Sequence, residues 1–82
     1  MSAPSELIAE RALALAAAGA DRLQAADELV RMSAGRRAPL ESARHHFVTR
    51  LHADSADYDA TKALVLVNAA LSRVGWDTQT TD

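Results

Sequence analysis

Apolar residues recur along this chain at three- and four-residue intervals, the spacing that places side chains on one face of an α-helix. The pattern is clearest in segment 57–76, where the predicted core stripe consists of Ala60, Leu64, Val67, Leu71 and Val74. Asp54 or Ser55 is expected to cap the start of this last helix. Gly75 is expected to end it, because glycine readily takes the left-handed conformation.

Three more helices are predicted ahead of the last one, over residues 4–18, 22–34 and 39–52. Gly35 is expected to end the second helix, and Pro39 is expected to open the third. The predicted core residues of these helices are Ile8, Ala9, Ala12, Leu13, Leu15, Ala16, Leu23, Ala26, Leu29, Val30, Met32, Leu40, Ala43, Phe47, Val48 and Leu51.

Two alternatives remain at Gly19. The glycine, followed by Asp21 as a helix cap and Gln24 as its box partner, favours a break between two helices. The apolar periodicity continues across Gly19, so a single long helix to Ala34 is the alternative. The predicted fold is all-α: one domain over residues 1–82, a small antiparallel bundle of four helices, or of three if the first two are continuous. Residues 1–3 and 77–82 are expected to be loose ends.

The last helix carries a second apolar side, nearly opposite its core stripe. This side consists of Tyr58, Val65, Leu66, Ala69 and, beyond the helix end, Trp76, with Lys62 and Arg73 at its edges. A helix that is apolar on two sides is covered on both: either it is the central helix of its own domain, or one side packs within the chain and the other meets a second chain. Aromatic anchors inside a charged rim are typical of protein interfaces. These seven residues are therefore the predicted partner interface, and self-association is the simplest case.

The composition supports this expectation. Apolar residues make up 49% of the 82 residues, but 19 of them are alanine and only 4% of the chain is aromatic. Alanine buries little surface, at ~25 cal/mol per Å² of apolar area, so the core is expected to be thin. Small domains of this kind often gain stability by association. The sequence therefore predicts a non-enzymatic interaction module that forms a homodimer.

The chain has no cysteine, which excludes disulfides and thiolate metal sites and allows a reducing compartment. Its uncharged runs are too short to cross a bilayer. Glu6 and Glu10 precede the apolar run 13–20 and argue against a secretory signal. We expect a cytoplasmic protein with no membrane contact. Eight arginines against one lysine, with so much alanine, suggest a GC-rich bacterial genome.

A basic segment from Arg31 to Arg50 supports a different function, nucleic-acid binding. This segment carries a formal charge of +4, although the whole chain carries −2. The arginines that would grip phosphates are Arg36, Arg37, Arg44 and Arg50. A helix-turn-helix fits poorly, because a turn at Gly35 puts an arginine where a small residue is needed and a turn at Gly19 precedes an acidic helix.

Glu41, His45 and His52 share one side of the third helix and suggest a metal-dependent or acid–base role. His52 lies two turns from His45, about 10 Å along the axis, too far to share an ion with it. The sequence contains no His-Glu-x-x-His, no Gly-x-Ser-x-Gly and no glycine-rich phosphate loop. A solvated helix face is the simpler interpretation, so no catalytic residue, metal ligand or cofactor is predicted.

Overall fold

The structure, a computed structural model, describes residues 4–74, and its regular secondary structure there is entirely helical. The four helices are α1 (Pro4–Ala17), α2 (Arg22–Met32), α3 (Arg37–Ala53) and α4 (Tyr58–Val74). Segments of four residues connect them. The predicted all-α bundle of four helices is therefore confirmed.

The last helix lies at the centre of the packing. α4 packs against α1, α2 and α3, and α1 also packs against α2 and α3. Because α4 meets three neighbours, its buried side is wide. Its buried residues are Ala60, Ala63, Leu66, Val67, Ala70 and Leu71.

Alanine dominates the core. Of the 16 buried apolar residues in the described part of the chain, nine are alanine. The larger ones are Ile8, Leu29, Leu40, Phe47, Leu66, Val67 and Leu71. The small side chains let helix backbones approach closely but remove little apolar area from water. Leu23 and Met32 were predicted to belong to this core, and both are instead exposed on α2.

The break at Gly19 is confirmed. Gly19 has a φ of 72°, in the left-handed region. Its N–H donates to the Ala16 carbonyl at 3.1 Å, and the Ala20 N–H donates to the Leu15 carbonyl at 3.0 Å. This pair of hydrogen bonds is the Schellman motif, which satisfies the last carbonyls of a helix and turns the chain away from its axis.

The predicted cap of α2 is also present. The Asp21 carboxylate accepts hydrogen bonds from the backbone N–H groups of Leu23 at 3.1 Å and Gln24 at 3.2 Å. Asp21 itself is extended, with φ −61° and ψ 136°, as a residue at this position must be. The cap and the glycine together make the break between α1 and α2 a local property of the sequence.

The end of α2 differs from the prediction at Gly35. The first left-handed residue is Ala34, with a φ of 56°, and Gly35 follows with a φ of 74°. The Ala34 N–H donates to the Arg31 carbonyl and the Gly35 N–H to the Val30 carbonyl, each at 3.0 Å. Ala34 therefore occupies the position of this Schellman motif that usually holds glycine.

α3 begins two residues earlier than predicted, at Arg37 rather than at Pro39. Pro39 is accommodated because the N–H groups of a first helical turn have no partner within the helix. Arg36 takes the extended capping conformation but contributes no side-chain hydrogen bond to the helix.

The start of α4 corrects another prediction. Asp57, and not Asp54 or Ser55, caps this helix, because its Oδ1 accepts the Ala60 N–H at 3.0 Å. Asp54 instead closes the turn before it, accepting the Ala56 N–H at 3.0 Å.

Candidate interaction face

One side of α4 remains open to solvent. Its residues follow each other at intervals of three or four, so they share one side of the helix. Tyr58 is 69% exposed and Val65 is 45% exposed, Arg73 is exposed, and Lys62 and Ala69 are half-buried. Five of the seven predicted interface residues therefore lie together on an accessible surface.

Leu66 belongs mainly to the core and meets this surface only as a lining residue of one shallow groove. It is only 6% exposed and forms part of the core. Its position is about 100° around the helix from Val65, which turns it towards the interior. Its assignment to the interface is therefore wrong, and its apolar character serves packing. Trp76, the seventh predicted residue, lies outside the described residues 4–74.

Leu23 of α2 joins this surface instead. It is 65% exposed, and a groove of about 480 Å³ places it opposite Val65 and Ala69 of α4. We define the α4 outer face as Tyr58, Lys62, Val65, Ala69 and Arg73 of α4 together with Leu23 of α2. The sequence alone does not identify Leu23, since its spacing from Ala26 and Val30 matches a core stripe.

Val65 separates two shallow grooves on the outer face. The first lies between α2 and α4, with Arg22 and Arg73 among its lining residues. The second, about 250 Å³, lies between α4 and the α1–α2 turn and is lined by Ala16, Gly19, Ala20, Lys62, Val65 and Leu66. Val65 thus projects as an apolar ridge with a depression on each side.

The cations of the outer face are held in place by their neighbours. The Lys62 ammonium lies 5.0 Å from the centroid of the Tyr58 ring, within the range of a cation–π contact. Arg73 donates to the Leu23 carbonyl and to the Asp27 carboxylate, both at 3.3 Å. These contacts are long and exposed, so they orient the side chains while contributing little stability.

The basic segment is largely engaged in contacts within the chain. Arg37 pairs with Glu41 at 2.5 Å and donates to the Leu71 carbonyl at 3.3 Å. Arg50 pairs with Asp57 at 2.8 Å. Arg36 and Arg44 are exposed. The structure therefore leaves two of the four predicted phosphate contacts at the surface, which weakens the case for nucleic-acid binding.

Asp57 combines two interactions at the junction of α3 and α4. The Ala60 N–H and, to a lesser extent, the Arg50 guanidinium lower the pKa of the Asp57 carboxyl below its ordinary value. Both partners favour the charged carboxylate, which explains the direction of the shift. A comparable exposed pair joins Arg11 of α1 to Glu28 of α2, where the hydrogen bond from Arg11 lowers the pKa of Glu28.

His45, His46 and His52 are exposed on α3. Glu41, four residues before His45, accepts a hydrogen bond from Arg37. Within residues 4–74 no three histidine, aspartate or glutamate side chains come together in a way that would hold a metal ion. The metal or acid–base alternative therefore gains no geometric support from this part of the chain.

A third groove, about 340 Å³, lies between α1 and α3, with Glu6, Glu10 and His46 among its lining residues. All three are exposed to water. Sites that bind or transform small molecules are usually enclosed pockets with a few convergent polar groups. This groove therefore offers no developed chemical site.

Comparison with protein-family models, with curated proteins and with solved structures finds no match for this chain. Among the helices described, none has both the length and the apolar character needed to cross a membrane.

Proposed function

We propose that this protein is a non-enzymatic helical interaction module that binds a second copy of itself through the α4 outer face. The observation that carries the proposal is the grouping of Tyr58, Val65 and Leu23. These are three of the five large apolar side chains exposed among the described residues. Leu23 and Val65 line one groove, and Tyr58 lies two turns before Val65 on the same side of α4.

The composition of the outer face suits a protein partner. Its centre is apolar, with Val65 and Ala69, and its edges carry Lys62 and Arg73. Interfaces commonly have an apolar centre and a charged rim, with aromatic residues enriched. Tyr58 supplies a large ring with few rotatable bonds, so fixing it at an interface costs little conformational entropy.

The thin core gives the fold a reason to associate. Nine of the 16 buried apolar side chains of the described region are alanines, which release little surface from water on folding. Covering Tyr58, Val65 and Leu23 with a second copy would extend the buried apolar surface beyond one chain. Association then stabilises the folded state by mass action.

Substitution of Val65 by glutamate tests the proposal. A carboxylate at the centre of the outer face would have to be desolvated on assembly, so we expect Val65→Glu to convert a dimer to a monomer. The helix itself should persist, because glutamate has a higher helix propensity than valine and position 65 reaches water. Analytical ultracentrifugation measures the mass, and circular dichroism measures the helix content.

Thr49→Glu is the matched control. Thr49 is also β-branched and exposed, and it also lies in the body of a 17-residue helix, α3. We expect it to leave the dimer intact. A dimer that survives Val65→Glu, or one that Thr49→Glu disrupts equally, would overturn the assignment of the outer face.

A further inference from the structure

The α4 outer face differs at its two ends, and we infer that two copies pair with their α4 helices antiparallel, Val65 lying against Val65 of the partner subunit. This inference rests on the proposed self-association and adds the orientation of the two chains. It identifies the occupant of the grooves beside Val65 as the same helix from a second copy.

Val65 marks the middle of the face. It follows Tyr58 by seven residues and precedes Arg73 by eight, within the 17-residue α4. An antiparallel pair centred there brings the start of each helix against the end of the other. At about 1.5 Å of rise per residue, Arg73 then lies within about 3 Å, along the axis, of Tyr58 and Asp59 of the partner subunit.

The charges of α4 favour this orientation. The first turn of the helix contains Asp59 and the last turn contains Arg73. Antiparallel pairing sets the acidic start of one chain beside the basic end of the other, on the same lateral side of the interface. A parallel pair would instead place Arg73 level with Arg73 of the partner subunit and far along the axis from its Asp59, so this contact between opposite charges would be lost.

The exposed apolar side chains are also complementary in this orientation. Leu23 lies at the C-terminal end of the face, since Arg73 donates to its carbonyl oxygen at 3.3 Å. Tyr58 lies at the opposite end. Antiparallel pairing covers Leu23 with Tyr58 of the partner subunit, so each exposed apolar group gains an apolar neighbour.

Parallel pairing has a second cost at Lys62. The Lys62 ammonium rests 5.0 Å from the Tyr58 ring centroid, so the two groups occupy one end of the face together. A parallel pair would bring Lys62 close to Lys62 of the partner subunit. An antiparallel pair sets it instead beside Ala69 of the partner subunit, a position without charge.

Single cysteines introduced on the face report the orientation, because the natural chain has no cysteine. Under mild oxidation Val65→Cys should form a disulfide-linked dimer, since the two positions face each other. Tyr58→Cys alone should stay unlinked, because its two copies lie about 20 Å apart in the antiparallel pair, beyond the reach of a disulfide. Ser72 lines the groove between α2 and α4 and follows Val65 by seven residues, so in the antiparallel pair it faces Tyr58 of the partner subunit. An equimolar mixture of Tyr58→Cys and Ser72→Cys should give the mixed dimer, identified by its mass. Thr49→Cys on α3 is the background control.

Light scattering on the reduced variants separates the two proposals. The antiparallel orientation would be overturned if the protein is a dimer, Tyr58→Cys links to itself and the mixture gives no Tyr58–Ser72 product. The proposed function would still stand in that case. Reduced variants and unmodified chain that remain monomeric at every concentration would overturn the self-association and the orientation together.

Discussion

Arg50 of α3 and Asp57, the cap of α4, are joined by two hydrogen bonds to a single carboxylate oxygen. Nε and Nη2 of Arg50 lie 3.1 Å and 2.8 Å from Asp57 Oδ2, while Asp57 Oδ1 accepts the Ala60 N–H. One carboxylate therefore starts α4 and ties it to the end of α3. The angle at which α4, with its outer face, leaves the third helix depends on this junction.

Replacing Asp57 by asparagine should change the pH dependence of stability. The pKa of Asp57 is lowered in the folded state, so the charged carboxylate adds stability above its unfolded pKa, which is about 4. That contribution is lost as the pH falls through the folded value. Asparagine still caps a helix but presents a neutral group to Arg50. We expect the difference in unfolding midpoint between wild type and Asp57→Asn to be present at pH 7 and to shrink as the pH falls below about 4.

Replacing Ala34 by glycine should stabilise the protein. Ala34 has a φ of 56°, a conformation that costs an L-residue with a Cβ about 1–2 kcal/mol. We expect Ala34→Gly to raise the free energy of unfolding by about 1 kcal/mol, measured by urea denaturation. Ala14→Gly, in the exposed body of α1, is the control and should lower it by about 1 kcal/mol. A loss of stability in both variants would contradict the proposed strain at Ala34.

Truncating Leu66 should destabilise the fold. Leu66 is 6% exposed and packs in the core, so Leu66→Ala should cost about 2–5 kcal/mol by denaturant unfolding. Val65→Ala, one residue away on the half-exposed ridge, should cost about 1 kcal/mol or less. Equal losses at the two positions would mean that the boundary between core and outer face does not fall between these neighbours.

Giving α3 a side-chain cap should also raise stability. Arg36 occupies the capping position without a side-chain hydrogen bond, and the first turn of α3 contains no acidic residue. Arg36→Asp supplies both an acceptor for the free N–H groups and a negative charge at the positive end of the helix dipole. We expect a gain of about 1 kcal/mol in the free energy of unfolding. The same change at exposed Arg44, in the body of α3, should give no such gain.

The positions of the four helices could be predicted because their boundaries are encoded locally. Gly19 and Asp21 act through their own backbone geometry and hydrogen bonds, so the break between α1 and α2 is visible in the sequence. The end of α2 is harder to see in the sequence. Ala34 takes the left-handed backbone conformation there, although alanine disfavours it. The cap of α4 was predicted at Asp54 or Ser55, but it is Asp57, which also accepts hydrogen bonds from Arg50 of another helix.

The outer face could be predicted only in part. The three- and four-residue spacing places Tyr58, Val65 and Ala69 on one side of α4, but it cannot decide on which side of the boundary Leu66 falls. That depends on how closely Ala16 and Ala20 of the α1–α2 region approach α4. The spacing of Leu23 within α2 matches a core stripe. It is nevertheless exposed, because the way α2 packs beside α4 leaves it at the surface. Periodicity within one helix contains no information about its neighbours.

The mass of the unmodified protein across a dilution series tests the central claim most directly. The chain has a mass of 8.7 kDa, so light scattering should give about twice that value at high concentration and fall towards 8.7 kDa on dilution. A mass of 8.7 kDa at every concentration would contradict the account, because the outer face would then not bind a second copy of the chain.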